Sequence, residues 1–367
     1  MRVASNETGS VPTNRALTSL RGFAAVWVIF SHVTVMFAAE WGGWSWRVLR
    51  SGYMGVDVFF VLSGFILGVV YQSLTPAGVP RFFLRRVLRL YPLNIAILLA
   101  MAVLSATVLP MGDWTDPRLL PVFVLMVEGY AAQPIPAWNP VTWSVGIELA
   151  CYFCFPLAVV GLRRLPTAAI AVLAAASLAA TWWLQGFCLG WPVGWRGLVR
   201  GMSDFWPGVL FAALALRLPR CRPRLASAGE IVALAGLLTA VALDQLRLVP
   251  LFTALLVWAL LSDTGGVARA MRARWCFWLG EISFSIYLLF GLLLPWMGNI
   301  EPALARHMPQ PAAIVGFIAI YLGATLALAH LTFRTIERPC RNLLRSRGMG
   351  GQDSVARSPG TSATTSH

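Results

Sequence analysis

The sequence predicts an all-α polytopic integral membrane protein, a bundle of about ten transmembrane helices, and three observations support this. Of its 367 residues, 58% are hydrophobic and 12% are charged, about half the charged share of a soluble domain. Apolar runs of the roughly 20 residues needed to cross a bilayer recur from Leu17 to Phe333. Arginines cluster in the short polar breaks between them. Water therefore cannot be the solvent for most of the chain.

Four spans are predicted in the first half of the chain. The first follows the polar residues 1–16, the second returns after a short polar break, and the third follows an arginine-rich stretch. The fourth ends at a pair of arginines, as expected where a helix leaves the hydrocarbon. These spans cover residues 17–38, 54–72, 90–110 and 143–162. Between the last two, segment 111–142 is rich in proline and tryptophan. We expect an irregular, partly re-entrant outer loop there, which survives at membrane depth only where it lines a protein cavity.

Six further spans follow, each bounded by proline, glycine or arginine. They cover residues 166–186, 201–217, 228–244, 247–263, 276–297 and 312–333. We therefore divide the chain into an N-terminal cytoplasmic tail (1–16), one transmembrane domain (17–340) and a cytoplasmic tail (341–367). The last segment is predicted to be disordered, because glycine, serine, threonine and arginine dominate it.

The arginines predict the orientation. One set of alternate breaks carries the clusters, and the opposite set carries only scattered arginines. By the positive-inside rule both termini are cytoplasmic, which requires an even number of crossings. The net charge of +14 does not indicate a nucleic-acid partner, because the arginines are spread over many helix ends and form no contiguous basic face.

Ionisable residues inside predicted spans are costly, and they are therefore the first functional candidates. Arg21, His32, Asp57, Glu148 and Glu281 meet this criterion. Arg21 and His32 are eleven residues apart, close to three helical turns, so they share one face about 16 Å apart. Structurally, they could be a snorkelling arginine and a histidine hydrogen-bonded to a neighbouring helix. Functionally, a histidine oriented by the nearby carboxylate of Asp57 or Glu148 is suited to act as a general base.

Arginines also recur at helical spacing before the third span. Arg81, Arg85 and Arg89 are four residues apart, and Arg86 is three before Arg89. Such an array can bind phosphates through bidentate hydrogen bonds. It can equally meet lipid headgroups and fix the topology, so both readings stay open.

The chain resembles acyltransferase family 3, the membrane O-acyltransferases that act on carbohydrates. The resemblance rests on six motifs in one order: the arginine and histidine of the first span, GVDVFFVLSGFI, Arg86 and Arg89 before YP, NPVTWSVGIELACYF, LGEISFSIYLL and IERP. It implies acyl transfer from cytoplasmic acyl-CoA, with acetyl-CoA the first expectation, to a carbohydrate hydroxyl. The implied location is a bacterial inner membrane.

The resemblance also implies residue roles. His32 corresponds to the proposed catalytic histidine, and Asp57 and Glu148 to the family's carboxylates. Arg21, Arg86 and Arg89 correspond to the arginines proposed to meet the coenzyme. Two departures stand out: many relatives carry a histidine where this chain has Phe290, and the glutamate motif reads GIELACY.

The predicted mechanism has acyl-CoA as a co-substrate, no tightly bound cofactor and no metal. Trp138, Trp143 and Ser144 are predicted to contact the acceptor sugar. Membrane lipid surrounds the bundle, and self-association as a homo-oligomer stays open.

Two functions other than acyl transfer are also compatible with the sequence. One is a proton-coupled transporter, for which coenzyme A would be irrelevant. The other is a scaffold of a polysaccharide assembly, which should tolerate loss of His32.

Overall fold

A computed structural model gives the fold and describes residues 14–36, 44–107, 115–131, 135, 137–187, 194–219, 223–293 and 297–348. In these ranges the regular structure is entirely helical, which confirms the predicted all-α class. The α-helices are α1 (Arg15–Met36), α2 (Trp44–Arg50), α3 (Gly55–Val70), α4 (Val79–Thr107), α5 (Leu120–Val124), α6 (Trp143–Arg164), α7 (Thr167–Gln185), α8 (Trp195–Arg217), α9 (Pro223–Ala242), α10 (Val249–Leu260), α11 (Gly266–Met271), α12 (Arg274–Glu281), α13 (Ser283–Leu293), α14 (Met297–Ala305), α15 (Gln310–Thr332) and α16 (Arg338–Gly348).

All ten predicted spans fall on helices, but fewer than ten of these helices could cross a membrane alone. Within the described ranges, seven are long and apolar enough, or eight if the bent pair α12 and α13 counts as one span. The two predicted spans outside this set are 201–217, on α8, and 247–263, on α10. Helix α8 carries Arg200 and Asp204 within its apolar sequence, and α10 is only twelve residues long.

The ninth predicted span, 276–297, is not one continuous helix. It is broken between α12 and α13, whose axes differ by 60°. Ile282 lies at the break with φ −88° and ψ 2°, outside the α-helical region. Gly280, just before it, approaches α1 so closely that a Cβ there would lie 2.0 Å from the carbonyl oxygen of Thr18. The two halves therefore pack in different directions.

Two helix boundaries also differ from prediction, both in arginine-rich sequence. Helix α4 begins at Val79, so the predicted polar break before residue 90 is its first three turns. Helix α16 runs to Gly348, so residues 341–348 of the predicted disordered tail are helical. In α4, apolar side chains stand at helical spacing among the arginines, and Phe82 among them is buried. The mean polarity of the segment does not reveal this pattern. The tail residues beyond Gly348 and those before Asn14 lie outside the described ranges.

The predicted irregular loop before α6 is confirmed in its described part. Residues 115–131 and 137–142 form only short 3₁₀ turns and the five-residue α5. Met126 and Trp138 have φ of 56° and 46°, which non-glycine residues rarely adopt.

Helices α3 and α8 form a close central pair. A Cβ on Gly64 would lie 2.1 Å from the carbonyl oxygen of Phe205, and one on Gly208 would lie 2.0 Å from that of Val61. Small residues that let two backbones approach are the usual basis of helix association in lipid. This pair supports one wall of the cavity described next.

Candidate active site

A central cavity lies between α1, α3, α6 and α13. Its polar lining comes from Arg21, Ser63, Ser144, Glu148 and Tyr287. The rest of the lining is mainly apolar and consists of Val56, Phe59, Phe60, Val145, Ser283 and Phe284. Three of the sequence-predicted residues, Arg21, Ser144 and Glu148, therefore face one space. A few convergent polar groups in an apolar cavity are typical of a ligand site.

Glu148 is the centre of a polar network on α6. The hydroxyl of Ser63 on α3 donates a 2.5 Å hydrogen bond to its Oε1. Tyr152, one turn further along α6, lies within electrostatic range of Glu148, and its ring packs against the guanidinium of Arg86. Because this network crosses from α3 to α6 to α4, it joins the cavity to the arginine array. Ser63 and Tyr152 are absent from the sequence-based candidates, since neither is ionisable near neutral pH.

Arg86 and Arg89 of the arginine array lie near Arg21, whereas Arg81 is exposed. Arg21 and Arg89 lie within electrostatic range of each other, and both also interact with Glu337. Arg86 packs its guanidinium carbon 5.7 Å from the ring centroid of Tyr152. Its Nε is buried and has no hydrogen-bond partner among the described residues. The structure thus brings together the three arginines predicted for phosphate binding. An unpaired buried donor of this kind is costly unless a ligand completes it.

Glu337 belongs to this arginine cluster although it follows α15 in a π-helical turn, Phe333–Glu337. Its buried carboxylate accepts a 3.0 Å hydrogen bond from Ser285 and lies 3.3 Å from a guanidinium nitrogen of Arg341. The IERP motif pointed to this residue without giving it a role. Its position next to arginines on α1 and α4 follows only from tertiary packing. Glu281, by contrast, is exposed at the end of α12.

His32 lies one side-chain layer behind the cavity lining. Its Nδ1 is 2.9 Å from the carbonyl oxygen of Val28, one turn earlier on α1. A carbonyl only accepts, so Nδ1 carries the hydrogen and Nε2 of the neutral ring keeps a free lone pair. The ring centroid of Phe290 lies 4.9 Å from that of His32 and 5.7 Å from that of Tyr287. Phe290 thus connects His32 to the cavity through aromatic contacts.

Asp57 has a different partner from the one expected. Both of its carboxylate oxygens accept hydrogen bonds from Arg200 on α8, at 2.7 and 2.5 Å, and both side chains are buried. Asp204, one turn further on α8, accepts a 2.8 Å hydrogen bond from Gln185 and lies within electrostatic range of Asp57. The structure thus places Asp57 in a cluster between α3, α7 and α8, whereas His32 makes polar contacts with Val28 and Ser31. Inspection of ionisable residues within span 201–217 would have found Asp204.

The residues predicted for the acceptor separate into two groups. Ser144 lines the cavity, and its hydroxyl is 2.7 Å from that of Tyr287. Trp143 is half-buried at the start of α6. Trp138 is buried, and its indole N–H donates a 2.9 Å hydrogen bond to the carbonyl of Asp116, so it holds the outer loop together. Trp138 therefore does not present its polar group to the cavity.

One acidic residue of this loop escaped the sequence search. Glu128 is buried, and its carboxylate accepts a hydrogen bond from the hydroxyl of Thr142. Burial raises the pKa of Glu128 to about 7, against an ordinary value of 4.5. It lies outside the predicted spans, where an acidic residue is unremarkable in sequence.

Comparison with known proteins decides the family. A family profile described as an acyltransferase domain matches residues 14–329. The chain belongs to acyltransferase family 3. Among the members of this family, acyltransferase MdmB of Streptomyces mycarofaciens is 30% identical, covering 90% of this chain and 92% of MdmB. BcsY of Komagataeibacter xylinus, named as a membrane-bound transacylase, is 26% identical over 98% of this chain and 93% of BcsY.

A third member of acyltransferase family 3 matches only in part. The O-acetyltransferase OatA of Staphylococcus aureus is 26% identical over 39% of this chain and 24% of OatA. No solved structure matches the chain. Membership of the family makes this chain a membrane acyltransferase.

Proposed function

We propose that this chain transfers an acyl group, acetyl in the first instance, from cytoplasmic acyl-CoA to a hydroxyl of a carbohydrate at the cell surface or in a secreted product. His32 is the general base. The proposed location is a bacterial inner membrane with both termini in the cytoplasm. The arginine clusters in alternate polar breaks support this orientation.

The observation that carries the proposal is the cavity joining Arg21 and Glu148 to Ser144 and Tyr287. At one end it meets the arginine cluster, where buried guanidinium groups suit a phosphorylated donor. At the other end it meets hydroxyl groups and the aromatic layer that contains His32. A donor held by its phosphates at the first end would extend its acyl group towards the second.

In the proposed reaction, the acceptor hydroxyl attacks the thioester carbonyl while Nε2 of His32 takes the hydroxyl proton. The new ester C–O bond forms as the C–S bond breaks, and the proton passes from His32 to the departing coenzyme A sulfur. The hydrogen bond from Nδ1 to Val28 fixes the tautomer that this step needs. General-base catalysis of this kind contributes about 10²- to 10⁴-fold.

His32 needs access to the cavity for this step, and the Phe290 ring packs against both the His32 ring and the cavity-lining Tyr287. We infer that donor or acceptor binding displaces the Phe290 ring by a rotamer change. Arg21, Arg86 and Arg89 bind the donor's phosphates in this scheme. Glu148, held by the hydrogen bond from Ser63, orients Arg21. Asp57 has a supporting role through Arg200.

The acceptor side of the proposal rests on Ser144, Tyr287 and the half-buried Trp143. Hydroxyls and an aromatic face are suited to hydrogen bonding and stacking with a sugar. The name of OatA, an O-acetyltransferase, supports an oxygen acceptor and an acetyl donor.

The test is acetyl-CoA consumption by the full chain in nanodiscs with a panel of glycan acceptors. We expect turnover by the wild type and a loss of at least about 100-fold in His32→Ala. His330→Ala is the matched control, because His330 is also a helical histidine but hydrogen-bonds Trp278, away from the cavity. Equal turnover in both variants would refute the role of His32. Absence of coenzyme A binding by the wild type, with substrate uptake into proteoliposomes instead, would favour the transporter.

A further inference from the structure

The arginine cluster at one end of the cavity gathers positive charge from α1, α4 and α16. Four guanidinium groups, those of Arg21, Arg86, Arg89 and Arg341, are linked by mutual electrostatic interactions. The carboxylates of Glu148 and Glu337 lie within electrostatic range of these arginines. The buried Nε of Arg86 has no hydrogen-bond partner among the described residues. Guanidinium groups gathered in this way suit an anionic ligand such as a phosphate.

Arg341 is the member of this cluster that the sequence did not identify. It lies on α16, which packs against α4 and the π-helical turn. Its guanidinium lies 3.3 Å from the Glu337 carboxylate and within electrostatic range of Arg89. Its side chain is 42% exposed, whereas that of Glu337 is 1% exposed. Arg341 thus lies where the buried cluster opens to solvent.

We propose that Arg341 extends the donor site onto α16 and binds the 3′-phosphate of coenzyme A. This assignment rests on the proposed function, because it takes coenzyme A as the donor carrier. Coenzyme A is linear, with its thioester at one end and the 3′-phosphorylated nucleotide at the other. If the thioester lies in the cavity beyond Arg21, the nucleotide end must lie towards the outermost cation. That cation is Arg341.

The contact between Arg341 and Glu337 gives the site a resting state. Glu337 is also held by Ser285 at 3.0 Å, so its carboxylate stays in place when Arg341 moves. A phosphate dianion carries more charge than a carboxylate and accepts bidentate hydrogen bonds from one guanidinium. It therefore replaces Glu337 as the partner of Arg341, and the long 3.3 Å contact is lost.

The experiment compares coenzyme A with 3′-dephospho-coenzyme A by calorimetric titration of the full chain in nanodiscs. We expect the wild type to prefer coenzyme A by about tenfold or more, the usual effect of one charge-assisted hydrogen-bonded contact. Arg341→Gln should lose this preference by weakening coenzyme A binding alone. Arg341→Lys should keep part of it, since the charge remains. Arg338→Gln is the control, because Arg338 is an exposed arginine of the same helix.

Each outcome bears on the assignment. Equal wild-type affinities for the two ligands would overturn it whether or not the variants fold. Equal weakening by Arg338→Gln and Arg341→Gln would also overturn it, because that result indicates only a general surface charge. Either result would leave the proposed function intact, since coenzyme A would still bind. Absence of coenzyme A binding by the wild type would overturn both proposals.

Discussion

The imidazole of His32 on α1 packs against the phenyl ring of Phe290 on α13, with centroids 4.9 Å apart and planes inclined by 55°. Phe290 is fully buried, and its carbonyl accepts a 2.7 Å hydrogen bond from the hydroxyl of Tyr321. The resemblance to the family led us to expect a histidine at this position. The departure noted in the sequence thus lies directly against the proposed base, where an apolar ring stands in place of the expected imidazole.

Loss of the Phe290 ring should destabilise this layer. Phe290→Ala is expected to cost about 3–5 kcal/mol, because it leaves a cavity beside His32 and Tyr287. Phe290→Leu, which keeps most of the volume, should cost less than about 1.5 kcal/mol. Denaturant unfolding in detergent, followed by tryptophan fluorescence, measures both. An unchanged midpoint in Phe290→Ala would show that this ring does not contribute to packing.

The buried pair of Asp57 and Arg200 should act mainly on stability. Asp57→Asn is expected to cost about 3–5 kcal/mol, because it leaves the Arg200 guanidinium buried without its counter-charge. The double variant Asp57→Asn, Arg200→Met should recover much of this loss. Unfolding midpoints of the two single variants and the double variant give the coupling energy. If Asp57→Asn were as stable as the wild type but inactive, Asp57 would act in the chemistry itself.

The close approach of α3 and α8 predicts sensitivity to a single methyl group. Gly208→Ala should destabilise by about 1–3 kcal/mol, since the added Cβ would lie 2.0 Å from a backbone oxygen. Gly323→Ala is the control, because nothing lies within 4 Å of a Cβ there. It should be neutral or stabilising by up to about 1 kcal/mol through helix propensity. Similar thermal midpoints in the two variants would contradict the observed α3–α8 packing.

The buried carboxyl of Glu128 predicts a pH-dependent stability. Its pKa is raised by burial from 4.5 to about 7, so the folded chain holds this proton more tightly than the unfolded chain. The contribution of the protonated Glu128 carboxyl to the free energy of unfolding is therefore fully present below about pH 4.5. It is lost as the pH rises through about 7. Glu128→Gln, which mimics the protonated form, should remove this part of the pH dependence.

Thermal unfolding between pH 4.5 and 8 measures the effect of Glu128. Asp116→Asn is the control from the same loop, because hydrogen bonds from Arg118 lower the pKa of this carboxyl. Its titration therefore falls below the measured range. Identical slopes for Glu128→Gln and the wild type would show that Glu128 ionises normally.

The sequence alone predicted the helices, and three of its candidates, Arg21, Ser144 and Glu148, line one cavity in the structure. Long apolar runs indicate helices in lipid, because a helix in the hydrocarbon core makes all its backbone hydrogen bonds within the segment. The first-span pattern likewise placed Arg21 and His32 on one helix. The boundaries failed at α4 and α16, where arginines alternate with apolar residues, and at Ile282, where one apolar run is bent into α12 and α13.

Tertiary structure decided the partners of the charged residues. Asp57 and Arg200 are 143 positions apart, and Ser285 and Glu337 are 52 apart. No local periodicity encodes such pairs, because each depends on which helix faces which neighbour. The sequence therefore determined that this chain is a helical membrane protein with costly buried charges. The packing of the helices decided which partner each buried charged side chain has. In a low-dielectric interior, the free energy of such a side chain depends strongly on its immediate neighbours.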